Sequence, residues 1–252
     1  MTNTYRIAEL RIRIASIHED VHRLCAEYRT EDGTVDFTVE TTEEDISFER
    51  LRSARQDEKE GREIRMFSDG YLETLAVYRK VAETAPMYDT VLLHGSCIAA
   101  DGEAYLFTAK SGTGKSTHVR LWREMLGERA VMVNDDKPLI RLTDAGPVVY
   151  GTPWDGKHRL STNIAVPLKA ICILERAEEN RIKAVSSWEA YPVLLQQIYR
   201  PADPVSMRKT LELTDRLVHH TDLWRLGCTI SAEAARVSFT AMSGRKESRG
   251  GE

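Results

Sequence analysis

A chain of 252 residues, 42% apolar and 29% charged with a net charge of −4, can build one sizeable core plus a smaller lobe, and its charge balance excludes a generic nucleic-acid binder. No apolar run approaches the roughly 18 residues of a membrane span, "AICIL" at 170–174 being about the longest, and the N-terminus has neither an h-region nor a small-residue cleavage site, so a cytoplasmic location with no membrane partner is expected. Cys25, Cys97, Cys172 and Cys228 are widely spaced with no CxxC pair, which argues against both a disulfide framework and a zinc knuckle.

Leu10, Ile12 and Ile14 alternate with Arg11 and Arg13, the period of a half-buried strand. "EDGTVDFTVET" adds a turn at Asp32-Gly33 and a second alternation at Val35, Phe37 and Val39, so a small antiparallel sheet is expected. Residues 49–65 are dense in both charges and read as a solvated helix or connector. From Gly70, apolar residues at spacings of three and four predict a helix leading into a second lobe. "TVLLHGSCIAA" and "EAYLFTA" read as strands joined by the Asp101-Gly102 turn. There follow a helix over about Lys115–Leu126, the strand "RAVMVND", a hairpin through "PLIRLTDAGPVVYG", and the buried strand "PLKAICILE". Asp203-Pro204 opens a helix to about His220, and Ser231 with Glu233 opens the last one. The expected organisation is a β-rich lobe with a charged connector at 1–69, an α/β core at 70–242, and a disordered tail at 243–252.

The chemistry concentrates at "AKSGTGKST", between a strand ending at Ala109 and a helix opening at Lys115. That context marks a Walker-type phosphate loop. Ser111, Gly112, Thr113, Gly114, Lys115, Ser116 and Thr117 would cradle ATP: the glycines let successive N–H groups turn to phosphate oxygens, Lys115 reaches the β- and γ-phosphates, and Ser116 places a hydroxyl on Mg²⁺. Asp135 and Asp136 close the next strand, where neighbouring side chains point to opposite faces. One, with Asp135 as the nominated ligand, would meet Mg²⁺ and the other would accept a substrate proton. His94 is placed on the strand before the loop strand. "YGTPWDGKHRL" at 150–160 offers Lys157 and Arg159 as candidate substrate contacts.

His94-Gly95, "SGTGKST" with Lys115 twenty-one residues after the histidine, and Asp135-Asp136 one helix and one strand later resemble the catalytic core of the HPr serine kinase family, itself related to that of phosphoenolpyruvate carboxykinases. The resemblance covers roughly residues 89–175. It implies a P-loop on a mixed sheet, MgATP held by Lys115 and Ser116, catalysis by His94 with one of the two aspartates, and assembly into a homo-oligomer. Ala109 replaces the family's first loop glycine, and the family's glycine-rich segment after the Asp pair gives way to "YGTPWDGKHRL". The chain therefore looks like a small relative rather than a true HPr kinase. The implied function is an ATP- and Mg²⁺-dependent kinase acting on a hydroxyl of a peptide, protein or small molecule, with a regulatory ATP-binding module of the same fold as the alternative.

Overall fold

The computed structural model describes residues 1–156 and 159–244, which divide into two units, Met1–Thr84 and a second beginning at Ala85. In the first, β1 (Thr2–Ile7) and β2 (Leu10–Ala15) form an antiparallel hairpin whose turn residues, Ala8 and Glu9, lie in the left-handed region at φ 52° and 63°. After α1 (Glu19–Leu24), β3 (Phe37–Glu40) joins β2 in parallel register, so the sheet is mixed where an antiparallel one was expected. The helix and loop between β2 and β3 supply the long crossover that parallel pairing needs.

Helix α2 (Glu43–Lys59) starts in a capping box formed by Thr42 and Asp45, and α3 (Asp69–Thr84) closes the unit. The charged stretch is helical as far as residue 59 but is not simply solvated: Glu49 and Asp57 are buried. Arg79 bonds Glu49 at 2.7 Å and Asp45 at 2.9 Å, and Arg65 bonds Asp57 at 2.7 Å. Each buried carboxylate is thus paired with a guanidinium, the condition for keeping a charge out of water. The second unit begins one helix later than the boundary at residue 69 read from the sequence.

That unit contains β4 (Thr90–Leu92), β5 (Ser96–Ala100), β6 (Glu103–Thr108), α4 (Lys115–Leu126), β7 (Ala130–Asn134), β8 (Leu139–Thr143), β9 (Gly146–Tyr150), β10 (Ala165–Arg176), β11 (Arg181–Ala184), α5 (Ser187–Gln197), α6 (Pro204–His219), β12 (Asp222–Cys228) and α7 (Ala232–Ser243). Nine strands among the described residues form one mixed sheet, ordered β4-β8-β9-β10-β6-β5-β7, with β12 also on β10 and β11 on β12. β10 lies parallel to β6 and β12 and antiparallel to β9.

The central strands are buried on both faces, which is why their sequences are continuously apolar. Leu106, Ile171 and Ile173 pack with Leu194 of α5 and Leu213 and Leu217 of α6. The alternate residues Tyr105, Phe107, Cys172 and Leu174 pack with Val119 and Trp122 of α4 and Phe239 of α7. Asp203 caps α6 by accepting the Ser206 N–H at 2.8 Å, and Ser231 caps α7 by accepting the Ala234 N–H at 3.2 Å. Of the tail expected to be disordered, Ser243 ends α7 and Gly244 follows in the left-handed region, while 245–252 lie outside the described residues. Among the described residues no helix is long and apolar enough to cross a membrane.

α4 and α7 are joined by a buried polar node. Ser238 accepts the Trp122 Nε1–H at 2.8 Å, bonds His118 Nε2 at 3.0 Å and donates to the Ala234 carbonyl at 2.9 Å. With the serine proton given to Ala234, His118 is neutral and donates from Nε2. Burial holds its pKa down to about 4, against an ordinary value of 6.5. The folded state then binds fewer protons than the unfolded one between those values, so stability falls as pH drops from 6.5 towards 4, by at most ~3 kcal/mol. Urea midpoints measured across this window should decline, and His118→Gln should flatten the decline. An unchanged slope in the variant would assign it to other groups.

Candidate functional site

The loop strand β6 ends at Thr108, and the chain turns through 110–114 into α4. Gly112 and Gly114 take φ of 76° and 120°, where a side chain is strained, and protein atoms would not otherwise crowd a Cβ there. Ala109 explains its own presence: it is buried, its methyl packs in the core beside α4, and its φ is not positive. Its carbonyl accepts the Lys115 ammonium at 3.1 Å. Ser111 is exposed, and the Thr113 hydroxyl bonds back to the Lys110 carbonyl at 2.9 Å. From the end of β10, Arg176 donates to the Gly112 carbonyl at 2.5 Å, a fixing contact with no signal in the local sequence.

His94 lies in the break between β4 and β5 rather than on a strand, because the two strands part to opposite sides of the sheet. Gly95 is required there by close approach: an added Cβ would lie 2.9 Å from the Phe107 carbonyl. The Gly95 N–H bonds the Asp136 carbonyl at 3.0 Å, and Thr108 donates to the His94 carbonyl at 2.8 Å. This brings His94 Nε2 to 3.2 Å from Asp136 Oδ1, while Lys137 bonds the other carboxylate oxygen. Burial alone would raise the Asp136 pKa, but the His94 hydrogen bond and the Lys137 charge outweigh it and bring the carboxyl to about 2. Burial lowers the Lys115 pKa, and the Asp136 charge opposes that shift, so the ammonium and this carboxylate sense one another.

The two aspartates do diverge, but not by strand alternation, since β7 ends before them. Buried Asn134 accepts the N–H groups of Asp136 at 2.9 Å and Lys137 at 2.6 Å, folding the pair into a side-chain-closed turn. Asp135 points the other way, accepting the Gly156 N–H at 2.5 Å and lining an open cleft of about 420 Å³ together with Ser116. Asp155 is a further carboxylate close enough to Asp135 to sense its charge, and its pKa is pushed up by burial and by that charge.

The described part of "YGTPWDGKHRL" acts as scaffold for this turn. Thr152 donates to the Lys137 carbonyl at 2.9 Å and accepts from Asn134 at 3.0 Å, and Gly156 holds Asp135. Arg159 is exposed at φ 47° with its N–H on the Gly156 carbonyl, whereas Lys157 lies outside the described residues. Loop, Lys115, Ser116, His94 and both aspartates are therefore gathered at one end of the sheet.

One solved structure similar to the chain is the HPr(Ser) kinase/phosphatase from Coxiella burnetii, at 13% identity and a TM-score of 0.27, covering 50% of this chain and 96% of that one. No curated protein matches. Residues 63–230 match a family model described as "SynChlorMet cassette protein ScmC". That span is more than half of the chain and takes in the loop, His94 and the Asp pair, and the protein belongs to this family.

Proposed function

We propose that the protein is an ATP- and Mg²⁺-dependent kinase that transfers the γ-phosphoryl group to a hydroxyl, on a core of the HPr kinase type. The observation that carries this reading is the His94–Asp136 contact beside Lys115 at the mouth of a glycine-rich strand-loop-helix turn. A loop that only capped a helix would have no use for an oriented histidine–carboxylate pair.

Ser116 and Asp135 face the same cleft, one hydroxyl and one carboxylate. Among the described residues no three His, Cys, Asp or Glu side chains gather to cage a metal. Such a sparse set suits Mg²⁺, which keeps waters and takes phosphate oxygens rather than a full set of protein ligands. Ser116 and Asp135 would hold it, and when bound it would supply positive charge to neutralise what develops on the transferring phosphoryl group.

The chain's own work is positioning. The loop N–H groups and Lys115 hold the phosphates, and Asp136 orients the acceptor hydroxyl. As its oxygen bonds to the γ-phosphorus and the bond to ADP breaks, the hydroxyl proton passes to the Asp136–His94 pair. A carboxyl with a pKa of about 2 is a weak base. In a loose transition state the proton leaves late, so holding the hydroxyl in line matters more than basicity.

The test is acceptor-dependent conversion of ATP to ADP, with a metabolite extract and serine peptides as acceptors and mass spectrometry as readout. Asp136→Asn should lower turnover about 10²–10⁴-fold with ATP affinity retained. Asp135→Asn should instead raise the Mg²⁺ concentration needed for half-maximal rate. ATP binding with no turnover in any acceptor pool would leave a regulatory module in place of the kinase.

A further inference from the structure

In-line phosphoryl transfer sets the attacking and leaving oxygens on opposite sides of the phosphorus, so an acceptor held at Asp136 sends the leaving diphosphate to the side away from that carboxylate. Asp135 points away from Asp136, and with Ser116 and Thr117 it opens the cleft of about 420 Å³, a size within the range of small-molecule sites. Ser116 and Thr117 belong to the first turn of α4, whose N–H groups have no partner within the helix. From there the cleft follows α4 past Arg120 and Arg123, walled by Val119, Met132 and Leu160. At 1.5 Å per residue, Arg123 lies about 10 Å along the axis from Ser116, a length comparable to that between the metal-bound phosphates and the base of a nucleotide. Val119 and Met132 are part of the core behind α4 and Leu160 packs against it, so this apolar wall is fixed by the fold. Arg120 is engaged with Glu124 at 2.6 Å, whereas Arg123 is exposed and makes no ion pair or hydrogen bond among the described residues.

We infer that this cleft holds the nucleoside end of the phosphate donor, its base gripped by the apolar wall and the Arg123 guanidinium, and that the protein therefore takes ATP and GTP alike. This rests on the kinase reading of the glycine-rich loop. Beyond Asp135 the described lining is aliphatic or guanidinium. Such groups hold the π-face that every base presents. Telling adenine from guanine takes groups aimed at the base edge, where one purine donates from an amino group and the other accepts at a carbonyl.

The experiment measures binding by calorimetry, with the Mg²⁺ complexes of ATP, GTP and tripolyphosphate as probes. Both nucleotides should bind at least about tenfold more tightly than tripolyphosphate, and within roughly threefold of one another. Arg123→Ala, at an exposed position that the fold does not need, should weaken both nucleotides about tenfold and leave tripolyphosphate unchanged. Irradiation with 8-azido-ATP should label peptides that carry Arg123, Met132 or Leu160. The inference is overturned by nucleotides that bind no better than tripolyphosphate, by tenfold discrimination between ATP and GTP, or by label confined to other peptides. Unchanged nucleotide affinity in Arg123→Ala overturns it as well, and so does an equal loss for tripolyphosphate, which would assign the arginine to the phosphates. In each of those cases the loop still binds phosphate and the kinase reading stands. If the wild type binds none of the three probes, the kinase reading itself fails and the inference falls with it.

Discussion

Lys115→Ala is expected to lower phosphoryl transfer at least about 10²–10³-fold, the cost of removing a donor aimed at developing charge, while the protein stays folded. The ammonium is buried and bonded to the Ala109 carbonyl, so no arrangement of solvent can replace it at that point. Its loss leaves one buried carbonyl without this partner, about 1–3 kcal/mol, which is too little to unfold a domain of this size. Lys115→Arg should fail almost as badly, because a planar fork does not fit the place of a compact ammonium. Rates measured beside thermal melting separate the two effects. A variant that keeps its rate removes Lys115 from the site.

The largest loss of stability should come from Trp122→Ala. Trp122 is wholly buried, its ring centroid 5.1 Å from those of both Tyr105 and Phe107 and 5.3 Å from that of Phe239. Removing an indole from such a place costs about 3–5 kcal/mol, and the Ser238 hydrogen bond is lost with it. For a unit of this size the melting temperature should drop on the order of 10 °C. Trp122→Phe keeps most of the apolar contact and should cost less than half as much. A drop of only a degree or two for alanine would mean that the core between α4 and α7 collapses around the gap.

What could be read from the sequence was what the chain decides locally. Asp101-Gly102 is a turn by its own backbone preference, Asp203 and Ser231 cap helices with their own oxygens, and the Lys115–Leu126 helix has the bounds its pattern implied. β1 escaped notice because Ala8 and Glu9 adopt left-handed angles without a glycine or asparagine to announce them. Glu49 and Asp57 looked solvated because their arginine partners, Arg79 and Arg65, lie elsewhere in the chain.

The site shows the same division. Lys115, Ser116, His94 and the Asp pair stand out by motif and spacing. The residues that orient them do not: Asn134 looks like one more strand-end residue, and Arg176 reaches the loop across a separation of 64 residues. Such contacts exist only once the sheet has assembled. Ala109, a departure on the page, is accounted for by the core it packs into.

The Ser238 node also governs timing. Trp122 and Ser238 are 116 positions apart and His118 and Ser238 are 120 apart, so the helix that follows the glycine-rich loop is backed by a segment made long after it. A ribosome-bound chain can hold the complete glycine-rich motif long before α7 exists to cover α4. Contacts this distant also form late in folding. The seating of the glycine-rich loop therefore waits for α7, and a nascent chain that lacks α7 would carry the motif without the core that backs it.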